Sequence, residues 1–372
     1  MATPSHLEPS KLGTKEYWDA LYTKELANHA HDASDTGTAW FDDSDAEAKL
    51  VAFLDDEATN LGLDLKNTTF LDLGTGNGAL LFALRDAGWT GHMVGVDYSA
   101  QSVRFAKRIE RDEEKDRDND IGKGGEGSYQ EPEKEDDDDE GGEGGEYYYE
   151  GPEKEDDSED EERKVAEKVD VHFYQHDILH DSPAWIVCDA RLAPPGRGAG
   201  HGFDVVLDKG TFDAISLSDE TLPTSTSTST STSTTTSLSE DHAEADITTT
   251  TSPKRVHEAY GSRILPLVCE GGLFLITSCN WTEAELRAWF EDGAVQKVRN
   301  HVLSFGPNPW LPFRNREEEE EEEIWGFEVV GRVAYRSFSF GGVKGQTISS
   351  LCFRKVRKTK GGGAGESIST SQ

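Results

Sequence analysis

Two short motifs combine glycines with acidic residues at the ends of apolar runs. Residues 70–78 read Phe-Leu-Asp-Leu-Gly-Thr-Gly-Asn-Gly, so the first run ends in Asp72 and a glycine-rich turn. A second apolar run ends in Asp97, about twenty residues after that turn. Glycines let the backbone approach a ligand closely, and an acid at the end of the next strand accepts hydrogen bonds from ribose hydroxyls. The spacing therefore predicts a nucleoside site.

The charge beside the glycines bears on which nucleoside is bound. The turn also satisfies the loose dinucleotide pattern G-x-G-x-x-G/A, which places a doubly charged pyrophosphate at a helix N-terminus. Asp72, two residues before the first glycine, would repel that pyrophosphate, whereas it would attract the sulfonium and ammonium of S-adenosylmethionine. We therefore predict S-adenosylmethionine as the cofactor. A dehydrogenase, and a turn needed only for strand-to-helix geometry, are the weaker interpretations.

A third acid extends the pattern. Asp177, within His176-Asp177-Ile178, follows another apolar run and is placed to frame an adenine. Three acids at three successive strand ends are more specific than the glycines alone. The predicted cofactor-binding residues are Asp72, Gly74, Thr75, Gly76, Asn77, Gly78, Asp97, Tyr98, Ser99, His176, Asp177 and Ile178.

Predicted strands and helices alternate along the chain and would position these residues. Strands are expected at 69–73, 92–96, 169–174, 203–207 and 273–277, and late β-rich segments at 325–335 and 346–354. Helices are expected at 15–28, 44–61, 79–87, 100–110, 254–267 and 283–290. Alternation of this kind indicates parallel βαβ units with helices on both faces of the sheet. We predict an α/β, Rossmann-like fold with a mostly parallel sheet and a C-terminal antiparallel hairpin.

Charge is concentrated in segments that cannot build a core. Of the formal charge of −36, residues 111–163 carry −19 and the seven glutamates at 317–323 carry −7. We predict an N-terminal helical segment at 1–65 that covers part of the site, and a main domain at 66–360. Disordered insertions are expected at 111–165 (acidic), 220–252 (Ser/Thr-rich) and 315–323 (poly-Glu), and a disordered tail at 361–372.

Several classes of protein are disfavoured by the composition. The acidic balance and the lack of a basic stripe argue against a nucleic-acid partner. The N-terminus has no signal-peptide pattern, and no apolar run is long enough to span a membrane. Four widely separated cysteines indicate reduced thiols, and no metal-binding spacing is present. We expect a cytoplasmic monomer, compatible with entry into the nucleus, without a membrane partner.

The chain resembles the seven-β-strand methyltransferases. Within them it resembles the lysine methyltransferases of elongation factor 1A, the Efm4/METTL10-like group. The matching segments are residues 12–22, 39–41, 70–78, 94–99, 174–179, 203–217, 271–281 and 339–355. The narrower signature lies at 207–217 and 278–281, whereas the long insertions depart from the compact pattern. The resemblance implies a seven-stranded sheet and a protein substrate, elongation factor 1A.

The resemblance also implies roles for residues on the methyl-acceptor side. Asp208, at the end of the fourth predicted strand, is the predicted catalytic residue, accepting a hydrogen bond from the incoming lysine amine. The predicted substrate-channel residues are Lys209, Thr211, Phe212, Asn280 and Trp281. Trp40 is expected to act as a lid over the cofactor, whereas Tyr17, Trp18 and Tyr22 are expected in the core.

Other functions stay open at this point. A methyltransferase acting on another protein, a small molecule or RNA would use the same nucleoside site. A non-catalytic interaction or transport protein would use the acidic loop to bind a basic partner, although an intact nucleoside site argues against it.

Overall fold

The computed structural model describes residues 5–123, 170–189, 191–197, 200–222, 254–293, 296–299, 322–340 and 343–358. The strands in this part of the chain are β1 (Phe70–Leu73), β2 (Met93–Asp97), β3 (Val171–Gln175), β4 (Phe203–Lys209), β5 (Val268–Ser278), β6 (Gln296–Arg299), β7 (Glu322–Val333), β8 (Ser337–Phe340), β9 (Val343–Gln346) and β10 (Ser349–Lys358). The helices are α1 (Lys15–His31), α2 (Ala46–Leu61), α3 (Ala79–Asp86), α4 (Ala100–Lys123), α5 (Pro183–Cys188), α6 (Thr211–Ser216), α7 (Tyr260–Ile264) and α8 (Glu283–Arg287). Short 3-10 turns (Lys11–Gly13, Asp42–Ser44, Val256–Ala259, Leu265–Leu267) and a π-helical turn (Ala288–Asp292) supplement them.

One mixed sheet organises the molecule, in the strand order β3-β2-β1-β4-β5-β10-β7-β6. Strands β3, β2, β1, β4 and β5 run parallel, and β10 and β7 extend the sheet as antiparallel strands. The predicted fold class and its C-terminal antiparallel pair are therefore confirmed. The four-residue strand β6 adds an edge strand that the sequence did not predict, and β8 and β9 form a separate two-stranded sheet.

The sheet is covered by apolar side chains on both faces. Adjacent residues of a strand point to opposite faces, so Phe70 belongs to one apolar cluster and Leu71 to the other. The same alternation separates Leu273 from Phe274 in β5. This double burial explains why β1 is a continuous apolar run interrupted only by Asp72.

Two compact units divide the chain, residues 1–110 with 169–372 and residues 111–168. The described part of the second unit is the continuation of α4, which begins in the first unit. The sequence assigned residues 111–123 to the acidic insertion, so that prediction is corrected to a helix there. Most of the three predicted insertions, and the tail at 361–372, lie outside the described residues. Within the described residues, no helix is long and apolar enough to cross a bilayer.

The register of the parallel strands brings their carboxyl ends to one edge. Leu73 is the partner of Val96 in β2 and of Asp208 in β4, and Asp97 is the partner of Gln175 in β3. Open α/β sheets bind ligands at this edge. The acids predicted at successive strand ends therefore lie in the same region of the fold.

Candidate functional site

A cavity of about 390 Å³ opens at the carboxyl edge of the parallel strands. Its walls come from the strand ends, from the N-terminal segment, from α6 and from the turn after β5. Ten of the predicted site residues line it: Trp40, Gly74, Asp97, Tyr98, His176, Asp177, Ile178, Lys209, Thr211 and Asn280. The other predicted site residues do not line it: Asp72, Thr75, Gly76, Asn77, Gly78, Ser99, Asp208, Phe212 and Trp281.

The glycine turn after β1 has a backbone that side chains would not tolerate. Gly74, Gly76 and Gly78 have φ angles of 63°, 60° and 84°, in the left-handed region that favours glycine. A Cβ atom on Gly74 would lie 2.1 Å from the Thr211 hydroxyl, and one on Gly76 would lie 2.7 Å from the Tyr22 hydroxyl. The missing side chains therefore let Thr211 and Tyr22 pack closely against the turn, which we call the cradle.

Asp97 braces this turn from the end of β2. Its buried carboxylate accepts hydrogen bonds from the backbone amides of Gly76 (3.1 Å) and Ser99 (2.8 Å). Burial raises the pKa of Asp97 to about 6, and these hydrogen bonds oppose that rise. Ser99 lies behind the wall, where its hydroxyl donates to Asp19 at 2.6 Å. Of the two acids in the first two motifs, Asp72 and Asp97, it is Asp97 that lines the cavity.

Asp72 occupies a different position from the one the sequence suggested. It is buried behind the glycine turn and does not line the cavity. Burial raises the pKa of Asp72 to about 7, and the positive charge of Lys209 opposes that rise. Its influence on a cationic ligand is therefore long-range electrostatics rather than direct contact.

Remaining residues of the turn support it from behind. The Thr75 amide donates to the Val96 carbonyl at 3.0 Å, and the Asn77 side-chain amide donates to the Thr36 carbonyl at 2.8 Å. Gly78 has no room for a side chain, because a Cβ atom there would lie 2.7 Å from the Phe173 ring. These residues fix the shape of the cradle without lining the cavity.

The end of β3 forms a second wall, as predicted from His176, Asp177 and Ile178. His176 is buried and stacks on Trp185, with ring centroids 5.4 Å apart and an interplanar angle of 6°. Burial lowers the pKa of His176, so its imidazole is favoured in the neutral form. Its Nε2 atom has no hydrogen-bond partner among the described residues. A buried polar atom in a cavity wall is suited to a polar ligand edge.

The N-terminal segment supplies an aromatic wall. Trp40 lines the cavity, and so do Trp18 and Tyr22. Tyr22 is also buried in an apolar cluster against which Trp18 packs, in agreement with the predicted core positions. The Trp18 ring centroid lies 5.3 Å from that of Trp40 and 6.2 Å from that of Tyr22. The helical spacing predicted that Trp18 and Tyr22 share one face of α1, but it did not show that this face would border the cavity. Phe41 lines the cavity with a left-handed φ of 66°, uncommon outside glycine.

Asp208 does not reach the cavity, which corrects its predicted contact with an amine. The buried carboxylate accepts hydrogen bonds from the Thr211 amide (2.8 Å) and the Tyr260 hydroxyl (2.6 Å), and also from the Phe212 amide. Burial raises its pKa to about 7, whereas the Tyr260 hydrogen bond lowers it. Asp208 therefore fixes the start of α6, which carries the neighbouring cavity residues.

Two predicted substrate-channel residues are buried in the core. Phe212 stacks on Tyr260, with ring centroids 5.4 Å apart. The indole N–H of Trp281 donates to the Ser216 hydroxyl at 3.1 Å. Both belong to one apolar cluster. Asn280, next to Trp281, does line the cavity.

Asp213 is a cavity residue that the sequence reasoning missed. Its buried carboxylate accepts hydrogen bonds from the Ser278 hydroxyl and from the backbone amides of Cys279 (2.8 Å) and Asn280 (3.3 Å). Asp213 thereby ties α6 to the turn that follows β5. The available signal was an acid in the first turn of the helix that follows Asp208, which pattern alone does not distinguish from a solvated residue.

The groups at this edge of the sheet fit a nucleoside that carries positive charge. Gly74 of the turn, Asp97 and His176 line one cavity, and Asp97 contributes a carboxylate to it. Carboxylates behind and beside the turn suit the sulfonium and ammonium of S-adenosylmethionine better than a pyrophosphate. The residues present are therefore compatible with that cofactor.

Comparisons with known proteins add an independent line of evidence. A family model described as a methyltransferase domain matches residues 64–119, which contain the glycine turn and Asp97. Protein-lysine N-methyltransferase EFM4 of Saccharomyces cerevisiae is 29% identical over 95% of this chain and 99% of its own length. EEF1A lysine methyltransferase 2 of Homo sapiens is 24% identical over 94% of this chain and 88% of its own length.

Among solved structures, magnesium protoporphyrin IX methyltransferase (ChlM) from Synechocystis, solved with bound SAM, aligns with 91% of this chain and 97% of its own, at 12% identity and a TM-score of 0.36.

Proposed function

We propose that this chain, a member of the Efm4 and EEF1A lysine methyltransferase 2 family, is an S-adenosylmethionine-dependent protein-lysine N-methyltransferase that acts on translation elongation factor 1A. One observation carries the enzymatic part of the proposal. One cavity is lined by Gly74 and Asp97 and also by Lys209, Thr211 and Asn280. We assign the first two residues to the cofactor end and the other three to the acceptor end. The choice of substrate is supported by the function of the relatives, which align with almost the whole chain.

The cofactor end of the cavity is assigned to residues of the first three strands. When bound, S-adenosylmethionine supplies a methyl group on a sulfonium, already activated for displacement by an amine. We assign the ribose hydroxyls to Asp97 and the adenine to the wall of His176, Asp177 and Ile178. Trp40 covers this end from the N-terminal segment.

The acceptor end must hold the substrate lysine in its neutral form, because an ammonium has no lone pair for attack. The Phe41 ring lines the cavity beside Gly210 and disfavours a charged amine there by desolvation. Lys209, which also lines it, adds a like charge that disfavours a second ammonium. A dedicated general base is therefore not required by this arrangement.

Positioning on the acceptor side is assigned to two buried acids. Asp208 fixes the first turn of α6 through the Thr211 and Phe212 amides. Asp213 joins α6 to the turn that holds Asn280. Holding both walls in one geometry lowers the entropic cost of aligning the amine with the methyl group. Asp208 thus acts through the helix rather than by touching the amine.

A labelling experiment tests the proposal. The full chain is incubated with S-adenosylmethionine labelled in the methyl group and a cell lysate, and labelled products are identified by mass spectrometry. We expect one protein band, elongation factor 1A, labelled on lysine. Label in RNA or in small molecules would overturn the substrate, and absence of any label would overturn the activity. The Asp97→Ala variant serves as the inactive control.

The proposed substrate also suggests the setting in which the enzyme works. Because elongation factor 1A is a translation factor, we propose a cytoplasmic enzyme that recognises a folded protein rather than nucleic acid or a membrane. We further propose that it works as a monomer. Light scattering of the purified chain, alone and with its substrate, checks that state.

A further inference from the structure

His180 lies between two carboxylates at the rim of the cavity. Its Nδ1 atom is 2.9 Å from Asp177 Oδ2, and its Nε2 atom is 2.7 Å from Glu220 Oε1. All three residues line the cavity, and their side chains are 52%, 30% and 48% exposed for His180, Asp177 and Glu220. Residues that both line the cavity and reach solvent mark its mouth.

The two carboxylates belong to different segments of the chain. Asp177 follows β3, on the side assigned to the adenine, and its Oδ1 accepts the backbone amide of Leu179 at 3.0 Å. Glu220 follows α6, on the side assigned to the lysine acceptor. The imidazole is thus a bridge across the mouth between segments that are forty residues apart in the sequence.

Protonation decides whether both contacts are hydrogen bonds. A neutral imidazole donates from one ring nitrogen only, whereas the imidazolium donates from both. Carboxylates accept but do not donate when ionised, so the observed geometry on both nitrogens requires the imidazolium. The neutral ring would leave one nitrogen lone pair facing a carboxylate, which is repulsive.

Other charged groups near this bridge come from its own loop, from α7 and from the segment before it. Asp181 accepts the Asp177 amide at 2.9 Å, and His176 lies 3.7 Å from Asp181 within the buried wall. Arg263 of α7 donates to the Asp181 carbonyl at 2.9 Å, and Arg255 donates to the Ser218 carbonyl, two residues before Glu220. The hydrogen bond to Asp177 raises the pKa of His180 above its ordinary value; burial opposes the rise, and the hydrogen bond to Glu220 adds a smaller contribution to it.

We propose that protonated His180 is a positioning residue that joins Asp177 to Glu220 and closes the mouth of the cavity over the adenine end. The inference rests on the proposed function, because it requires the cofactor to occupy this cavity. Opening the bridge would then be part of cofactor release. A pH-sensitive bridge would make the residence time of the cofactor depend on the charge of one histidine.

The direction of the effect follows from linkage. The carboxylate partners raise the pKa of His180, so its protonated form stabilises the bridged state. This stabilisation is complete below the ordinary histidine pKa, near 6.5. That contribution disappears as the pH rises through the raised pKa of the bridged state. The bridge should therefore be closed at pH 6 and open at alkaline pH.

The test compares His180→Gln with wild type across pH, using S-adenosylhomocysteine as the probe. Its dissociation rate is measured by stopped-flow tryptophan fluorescence at pH 6, 7, 8 and 9 and constant ionic strength. We expect the variant to release the probe about fivefold faster than wild type at pH 6, the effect of losing one partly exposed ion pair. The ratio should approach one by pH 9. Taking this ratio cancels the titration of Asp72, Asp97 and His176, which both proteins share.

Two further variants of the chain serve as comparisons. Glu220→Gln leaves His180 with one carboxylate, so its ratio to wild type should follow the same pH trend at smaller amplitude. His201→Gln replaces an exposed histidine that does not line the cavity and should match wild type. Thermal unfolding of each variant reports whether it is folded. A direct NMR titration of the His180 ring should give a lower pKa in Glu220→Gln than in wild type.

Distinct outcomes separate this inference from the proposed function. Normal probe binding with a ratio that is constant across pH, or equal to one at pH 6, overturns the role of His180 and leaves the methyltransferase proposal intact. An unchanged His180 pKa in Glu220→Gln also overturns it. No binding of the probe at any pH overturns both. Failure to methylate elongation factor 1A changes neither readout, because only the cofactor side is measured.

Discussion

The two ends of the cavity are built in different ways. At the cofactor end, a contiguous glycine turn and Asp97 meet directly, and backbone amides of Gly76 and Ser99 carry the contacts. At the acceptor end, the walls come from α6 and from the turn after β5, which are more than sixty residues apart in the sequence. Their connection depends on the side chain of Asp213, and the start of α6 is fixed by Asp208.

The same residue type therefore serves two purposes at neighbouring strand ends. Asp97 and Asp208 both end parallel strands, both are buried, and burial raises the pKa of both, to about 6 and about 7. Asp97 reaches the cavity, whereas Asp208 is directed into the protein and holds α6. A strand-end acid thus indicates a site without telling whether it binds the ligand or supports the wall. Four predictions test this contrast between the two ends.

The largest effect is expected from Asp97→Ala. The substitution removes the acceptor of two backbone hydrogen bonds and the proposed acceptor of the ribose, so the affinity for S-adenosylmethionine should fall about 100-fold. Isothermal titration calorimetry measures the change, and Asp86→Ala, at an exposed acid, is the matched control. Unchanged affinity in a folded variant would remove Asp97 from the cofactor site.

At the other end, Asp208→Ala should affect turnover more than cofactor binding. It leaves the Thr211 amide and the Tyr260 hydroxyl without their acceptor, which misplaces the start of α6. We expect kcat to fall about tenfold to thirtyfold, with cofactor affinity changed by less than about threefold. Steady-state kinetics and calorimetry give the two values. Tyr260→Phe, which removes one hydrogen bond only, should have a smaller effect in the same direction, and the reverse pattern would contradict the assignment.

A smaller effect is expected from the aromatic cover of the cofactor end. Trp40 lies with its ring centroid 5.3 Å from that of Trp18. Trp40→Ala removes this pair and should weaken S-adenosylmethionine binding about fivefold, while Trp40→Phe should retain most of the affinity. Equal affinities for the two variants would show that the ring does not cover the cofactor.

The smallest effect concerns pH. Because burial raises the pKa of Asp72 to about 7, this carboxyl is neutral below pH 7 and ionised above it. Ionisation adds a negative charge behind the glycine turn, so the affinity for the cationic cofactor should rise about threefold from pH 6 to pH 8. In Asp72→Asn this rise should be smaller. The sulfur of S-adenosylhomocysteine is uncharged, so its affinity should change less with pH in both proteins. Isothermal titration calorimetry in one buffer series measures these affinities at each pH. An identical pH response in Asp72→Asn would exclude this carboxyl as the cause.

Much of the cofactor end was accessible from the sequence because its signals are local. The turn needs glycine at three positions of left-handed φ, and that requirement appears directly as Gly74, Gly76 and Gly78. Strand alternation and burial on both faces likewise appear as apolar runs. The seven-stranded arrangement followed from these patterns together with the family resemblance, whereas the short edge strand β6 carries no comparable signal.

The acceptor end was less accessible because side-chain direction there is set by distant contacts. Phe212 and Trp281 have the composition of a substrate channel, yet both face an apolar cluster shared with Tyr260 and Phe290. Trp18 and Tyr22 have the spacing of a core-facing helix, yet that face also borders the cavity.

By itself, the sequence determined the parallel sheet, the glycine turn and the acids at successive strand ends, because each follows from residues close together in the chain. Only the tertiary structure decided which acids reach the cavity, since that depends on the hydrogen-bond partners brought to them from elsewhere. Asp97 meets the amides of Gly76 and Ser99, whereas Asp208 meets Tyr260 and Asp213 meets the turn after β5. Burial of a carboxylate is tolerated only where such donors surround it, so those long-range partners set the direction of each side chain.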